Sequence, residues 1–471
     1  MNKNSIKSKT QKIVDIFRAI LSSKYFSFIT AAVTLLCYYL GWDVVLFYYI
    51  AIVGIMILLL LEDATPFISL LLFMSISISL INTPSNTMGD SDYYHRPEIY
   101  IQIFTIIGLL VSVVIYRLIK NIVFKRFKIT PIFFGMCGFA IILMLNGIFT
   151  SGYNPKNLLY GFILASCILG IYSSLKDNLK LDSEGFERIA YSFLAFSTVL
   201  LIELIVAYAT TDNLFEDGTI NRYNLIFGWG VYNTFGVMLT MCIPGTLYLA
   251  GRKKFGFAYT LYSFVLFIAL FFSCSRQAMI GGPIIYLICI VILFVKGKNK
   301  FANACILTAG AVAGIIFLLA YHETVFRFFK IVFENLMVDG ELDGSGRTQL
   351  WREATAYFKQ YPVFGSGFFV HFSYNGNSGL GFMPLMCHNT ILELLSACGI
   401  VGIIVYLAHR TQTVISFCKN ITLERTFIAL TILSILLLSL LDNHLFNIFP
   451  TIIYSSLIAI LDKSEEKIKT T

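Results

Sequence analysis

IAYSFLAFSTVLLIELIVAYA, residues 189–209, carries one charged side chain, Glu203, in 21 positions. An α-helix needs about 20 predominantly apolar residues to cross the hydrocarbon core of a bilayer. This run therefore reads as a membrane span. Lys176, Lys180 and Arg188 lie before it, and the acidic pair Glu216 and Asp217 follows. The same alternation repeats along the 471 residues, with apolar blocks of 16 to 25 separated by short charged loops. In composition 57% of the chain is apolar and 13% charged, with a mean hydropathy of +0.77. An ordinary soluble domain is about half apolar and about a quarter charged. The charge deficit excludes disorder and argues against a soluble enzyme.

The expected spans are 25–40, 44–61, 66–81, 100–119, 130–149, 158–175, 189–209, 226–250, 257–272, 278–295, 301–320, 389–408, 426–441 and 445–461. The fold class is thus all-α: a polytopic membrane protein of about 14 helices, with 12 or 13 if the crowded first three merge. Lys and Arg fix the orientation, because cytoplasmic loops keep them. With the N-terminus inside, 26 of the 35 basic residues fall on the cytoplasmic side. The outer nine are Arg96, Lys156, Arg222, Arg276, Arg327, Lys330, Arg347, Arg352 and Lys359. Both termini are then cytoplasmic. The organisation is a basic segment (1–24), helices 1–11 (25–320), a long outer loop (321–387), helices 12–14 (388–461) and a tail (462–471). Residues Ile13 to Leu21 read as a short amphipathic helix on the membrane surface. No small-residue cleavage site ends the first apolar block, so it reads as an uncleaved span.

The net charge of +8 is distributed by this orientation rule, which excludes nucleic acid as the partner. Ten cysteines form no CxxC pair, and most, such as Cys37, Cys137, Cys167 and Cys289, lie inside apolar spans as small apolar residues.

The outer loop breaks the rhythm with 67 residues free of any span, rich in Phe, Tyr and Trp. Loops of that length inside compact folds are functional or disordered. From Ser345 to Pro362 it reads as a helix capped by Ser345 or Thr348 and stopped by Pro362. Leu350, Ala354, Tyr357 and Tyr361 share one stripe. Such a helix lies across the bilayer surface as a lid or packs on the outer helix ends. Gly365 and Gly367 then form a tight turn, whose successive amides offer a phosphate-binding cradle if they are free. His388 and Asn389 stand at the outer mouth of the next span, and Glu393 follows further in, placed to orient His388 or pair with an arginine.

The run SGRTQLWREATAYFKQYPVFGSGF from Ser345, followed by HNTILELLSACGIVG from His388, resembles the O-antigen ligase and Wzy-type polymerase superfamily. Gly-Arg-x-x-x-Trp, Pro-x-x-Gly-x-Gly, His-Asn and Gly-x-x-Gly occur in one outer loop and the span after it. CSRQAMIGG, with Ser275-Arg276 at a span end, is a weaker likeness. The resemblance implies an integral membrane glycosyltransferase of the plasma membrane, acting on undecaprenyl-diphosphate-linked glycan at its periplasmic or extracellular face. It implies inversion and no metal or other cofactor. It gives His388 the catalytic role and Arg276 and Arg347 diphosphate binding, with Arg222 a weaker addition. Asn389, Glu393, Arg352, Gly365 and Gly367 support them. The bilayer, a chain-length regulator and a flippase are the candidate partners.

The chemistry suits these residue types. A sugar on a diphosphate already has a good leaving group, so the hydrolase pair of carboxylates is not required. What the reaction needs is charge stabilisation on the departing diphosphate, which the arginine fork gives without losing its proton. It also needs a base near neutral pKa for the acceptor hydroxyl, which histidine supplies. Polymerase and ligase share these motifs, and a transporter of the same lipid-linked glycan is a third reading. Competing constellations are weaker. Asp90-x-Asp92 reads as a solvated turn, and the calcium-loop-like DGELDG has Leu350 where the loop requires Glu. Glu203 either lines a cavity or pairs with a neighbour, while Asp442 and His444 stand where they can shape the acceptor site.

Overall fold

The computed structural model describes residues 12, 14–79, scattered positions of 101–124, and 128–212. It further describes 214–216, 219, 220, 224, 225, 227, 232–333, 337, 338, 341, 342, 347–370, 384 and 386–466. Besides the scattered helical positions of 101–123, sixteen helices organise them. They are α1 (Val14–Leu21), α2 (Phe26–Tyr39), α3 (Asp43–Leu60), α4 (Phe67–Ser79), α5 (Pro131–Met144) and α6 (Pro155–Lys176). Next come α7 (Ser183–Thr210), α8 (Tyr232–Arg252), α9 (Gly256–Phe272), α10 (Arg276–Lys296) and α11 (Lys300–Ala320). The outer loop contributes α12 (His322–Phe333) and α13 (Arg347–Gln360), and α14 (Thr390–Lys419), α15 (Leu423–Ser439) and α16 (Ile448–Glu466) follow. Two antiparallel ladders of two residues per strand, 215–216 with 219–220 and 337–338 with 341–342, are the strands among the described residues.

Apolar blocks fold as helices because hydrocarbon gives backbone groups no partner outside the segment. Each expected span therefore overlies helix, although 100–119 is described only at scattered positions. Six of these helices, α6, α7, α8, α10, α11 and α14, are long and apolar enough to cross a membrane. Counting the bent α1–α2 pair as one crossing makes seven. The chain is thus a multi-pass membrane protein, but by this measure the described helices fall short of the fourteen crossings expected. Helices such as α5 and α9 are apolar yet shorter than a full crossing. The segment expected as a surface helix is helical as α1, turned 88° from α2.

Two expected spans are not simple helices. A π-helical turn at Ser166–Gly170 interrupts α6. Where a span was expected over 389–408, α14 runs on to Lys419 and is broken at Gly399, whose φ of 66° and ψ of −163° are not helical.

The core is centred on α8, buried along nearly its whole length among α7, α9, α10 and α15. Loops expected on one side of the membrane are bonded to each other. Arg188 pairs with Asp63 at 2.7 Å, Arg117 donates to Asn178 and to the Leu61 carbonyl, and Lys176 pairs with Asp462 at 3.1 Å. At the opposite ends of the helices, the segments around 233, 275, 347, 388 and 442 meet. Within the bundle, Glu203 is buried and accepts from the Tyr38 hydroxyl at 2.6 Å, which is the pairing alternative.

Candidate active site

His388 leads into α14. Asn389 caps that helix: its Oδ1 accepts from the amides of Ile391 and Leu392, both at 3.0 Å, as an N-cap asparagine does. Its Nδ2 donates to the Leu440 carbonyl at 3.1 Å, tying the start of α14 to the end of α15. His388 itself adopts φ 56°, a left-handed conformation that a non-glycine side chain adopts only under constraint. This turn brings its Nδ1 to 2.8 Å from Asp442 Oδ1.

Asp442 is the hub of the site. Oδ1 also accepts from the Asn443 amide at 2.8 Å, and Oδ2 accepts from Asn233 Nδ2 at 3.0 Å. Arg347 lies 3.9 Å from Oδ2 and donates to the Leu441 carbonyl at 2.6 Å. Burial pushes the Asp442 carboxyl upward, but the His388 hydrogen bond and the charges around it, Arg347's among them, outweigh that and hold it below the usual aspartate range. A carboxylate only accepts, so His388 Nδ1 carries a hydrogen and Nε2 is the nitrogen left to take a proton. The His388 side chain is 39% exposed against 11% for Asp442, so the imidazole lies at the surface and its orienting partner behind it.

Glu393 was expected to orient His388 or pair with an arginine. Its Oε2 instead accepts from the Cys387 amide at 2.8 Å and from Asn443 Nδ2 at 3.0 Å. It braces the backbone before His388 and the Asn443 side chain after Asp442, and the carboxylate that binds the imidazole is Asp442.

The helix expected from Ser345 starts at Arg347, so Thr348 lies inside it, while Ser345 is outside the described residues. Leu350 and Ala354 are buried with Cys387 as the periodicity predicts, and Trp351 Nε1 donates to the Cys387 carbonyl at 2.9 Å. Thus α13 packs on the outer end of α14, and its first residue reaches Asp442. Arg352 lies on the exposed side of α13.

Gly365 and Gly367 do not form a free amide cradle. The Gly365 amide donates to the Tyr361 carbonyl at 3.1 Å and the Gly367 amide to the Ala397 carbonyl at 3.1 Å. Ser366 donates to the Ser396 carbonyl, while Ile400 and Val401 donate to the carbonyls of Pro362 and Val363. The turn fills the break at Gly399 and satisfies the backbone groups that the break frees, which is why broken helices are tolerated in membranes.

Arg276 opens α10, with Ser275 as the N-cap. Its Nε donates to the Val332 carbonyl at 2.6 Å, in the last turn of α12. The residues on either side of Arg276 join the site, while its guanidinium is bonded to α12. Ser275 donates to Asn233 Oδ1 at 3.2 Å, and Gln277 Nε2 lies 2.6 Å from His444 Nε2. Gly236 permits this: a Cβ there would lie 2.6 Å from Ala278 Cβ, so α8 and α10 start almost in contact. Arg222 and Asp90-x-Asp92 lie outside the described residues.

The structure therefore gathers His388, Arg347, Asn389 and Glu393 around Asp442, with Arg276 on the adjoining turn. Asn233, Gln277 and Asn443 belong to the same network and were not anticipated. No curated protein matches the chain. Residues 261–407 match the family model described as O-antigen ligase, a segment that holds Arg276, Arg347 and His388 but neither Asn233 nor Asp442. That segment is similar to the O-antigen ligase/Wzy superfamily and supports the chain's membership of it.

Proposed function

We propose that the protein transfers a glycan from undecaprenyl diphosphate to a hydroxyl of another lipid-linked repeat unit, building surface polysaccharide at the outer face of the bacterial plasma membrane. In this reading the chain has about 14 crossings and both termini are cytoplasmic. The observation that carries it is the His388–Asp442 pair with Arg347 beside it. His388 Nε2 takes the proton of the acceptor hydroxyl as that oxygen attacks the anomeric carbon. The bond from that carbon to the phosphate oxygen breaks, and the diphosphate leaves with the electron pair, so the configuration inverts. Arg347 and Arg276 take up the developing charge, with Arg222 as a further donor. Asp442 stabilises the imidazolium that forms.

Transfer of a finished glycan to a different acceptor, the ligase reaction, uses the same steps and fits the matched family equally well. The test is the purified protein in vesicles with undecaprenyl-diphosphate-linked repeat units. A product ladder supports polymerisation, and a single product appearing only with an added acceptor supports ligation. Movement of the lipid across the bilayer without a new glycosidic bond overturns both.

Arg347→Ala is expected to lower kcat by about 10²–10³-fold, as loss of one charge-stabilising donor does. Arg347→Lys should recover only part of that, because the ammonium lacks the guanidinium fork. Steady-state rates on the same substrate check both, and full activity in Arg347→Ala would remove it from the anion site.

A further inference from the structure

Asn233, the second residue of α8, is bonded in three directions. Nδ2 donates to Asp442 Oδ2 at 3.0 Å, Oδ1 accepts from Ser275 Oγ at 3.2 Å, and the backbone carbonyl accepts from Gln277 Nε2 at 3.0 Å. The orientations are fixed by chemistry. Asp442 only accepts, so the Asn233 amide nitrogen must face it. Gln277 Nε2 has two hydrogens: one goes to the Asn233 carbonyl, and the other to His444 Nε2. Turning the Gln277 amide over would set its oxygen against that carbonyl oxygen. His444 Nε2 is therefore the bare nitrogen, and the ring is neutral with its hydrogen on Nδ1. Burial agrees, pulling this histidine below its usual range in spite of Asp442.

A neutral His444 leaves the Asp442 charge to be answered by His388, Arg347, the Asn443 amide and Asn233. Of these, Oδ2 has Asn233 at 3.0 Å and Arg347 only at 3.9 Å. Asp442 stands on the non-helical link between α15 and the 3-10 turn His444–Phe446. Without Asn233, little holds that end of the carboxylate. The same residue reaches Ser275, the cap of the helix whose first residue is Arg276.

We infer that Asn233 is the positioning residue of this site, holding the Asp442 carboxylate in line with His388 Nδ1 and locking that pair to the first turn of α10, which carries Arg276. The inference rests on the glycosyl-transfer reading and extends the site beyond residues 261–407. The ionisable groups that face His388 are Asp442 and His444 from the link after α15, Arg347 from α13 and Glu393 from α14.

The test uses Asn233→Ala and Asn233→Asp in the full chain, reconstituted with the lipid-linked repeat unit. Asn233→Ala should lower kcat about ten- to a hundredfold, the scale of a lost hydrogen bond to a charged group. The donor KM should stay within about twofold, because Asn233 binds Asp442 and Ser275 rather than the anion site. With Asn233 gone the Asp442 carboxylate is no longer held in line with Nδ1, so the imidazolium is less well stabilised and the acid limb of the kcat profile moves to lower pH. Asn233→Asp places a second carboxylate there and should move that limb up by about one unit. A residue that merely packed would lower the yield of folded protein and leave the limb in place.

A second readout does not depend on the substrate. Spectra of ¹⁵N-histidine-labelled protein should show His388 in the Nδ1–H form in the parent protein and a mixture of tautomers in Asn233→Ala. An inactive parent protein would sink the glycosyl-transfer reading and leave the tautomer to decide the geometry. An unshifted limb together with an unchanged tautomer in both variants would overturn the inference.

Discussion

His388→Ala is expected to lower kcat for glycan transfer by about 10²–10⁴-fold, the usual contribution of a positioned general base. The donor KM should change little, because the imidazole acts on the acceptor hydroxyl. Asp442→Asn should lose about 10²-fold or more although the base itself is intact. Both Asp442 oxygens accept: Oδ1 from His388 and the Asn443 amide, Oδ2 from Asn233. An asparagine has one oxygen and one NH₂ group, so one of these sets of donors must face another donor. The negative charge that stabilises the imidazolium is also gone. The pH profile separates the two variants from Asn233→Ala. Asp442 is held below the usual aspartate range, so it stays ionised through the neutral range in which the profile is measured. Removing that charge lets His388 lose its proton more easily, and the limb in Asp442→Asn should move to lower pH, further than in Asn233→Ala. The depressed Asp442 pKa also stabilises the fold above the usual aspartate range, and that contribution is lost only as the pH falls through the depressed value. Wild-type kcat in His388→Ala would remove the histidine from the mechanism.

How much of this the sequence displays depends on the range of the interaction. Helices follow from apolar blocks because the signal is local, and the residues of α7 or α11 need no partner to be read. His388 was legible because an ionisable group at the outer end of a span is unusual wherever it packs, and Arg347 through the Gly-Arg-x-x-x-Trp likeness. Their pairing with Asp442 was not, although Asp442 itself reads as a residue that shapes the acceptor site. Asp442 meets His388 across 54 positions and Asn233 across 209, and nothing in either local sequence points to the other. Glu393 drew the expectation because it lies five residues after His388, yet a helical start directs it into the interior and leaves the imidazole to a residue from another helix. Arg276 was recognised as a span-end arginine, but its hydrogen bond to the Val332 carbonyl depends on where α12 packs. The glycines at 365 and 367 show the same limit. Their composition suggests free amides, and only the break in α14 reveals where those hydrogens go.

That break supports the second large effect: Gly399→Ala and Gly365→Ala should each destabilise the protein by about 4 kcal/mol or prevent its accumulation. Gly399 has φ 66°, and a Cβ there would lie 2.4 Å from the Val363 carbonyl oxygen and 2.7 Å from the Gly365 amide nitrogen. Gly365 has φ 69°, and its Cβ would lie 2.3 Å from the Ala397 carbonyl carbon. The obstructing atoms are backbone in both cases, so no rotamer change relieves them. Relief requires the turn to leave the break, which exposes the amides and carbonyls of 362–367 and 396–401 in a setting that offers no replacement. A left-handed conformation alone costs roughly 1–2 kcal/mol for a residue with a Cβ. Gly152 isolates that term, since its φ is 82° and nothing lies within 4 Å of the added carbon. Gly152→Ala should therefore shift thermal unfolding far less than either interlocked variant. The buried thiol of Cys398, next to Gly399 in the break, reports its opening to a thiol-reactive dye on heating. The double variant Gly365→Ala/Gly399→Ala should cost less than the two singles added together, because each alone already expels the same turn. Equal unfolding midpoints for Gly152→Ala and Gly399→Ala would show that the close approach contributes nothing, and that the start of α14 is held by the bonds of Asn389, Glu393 and Trp351 without the turn.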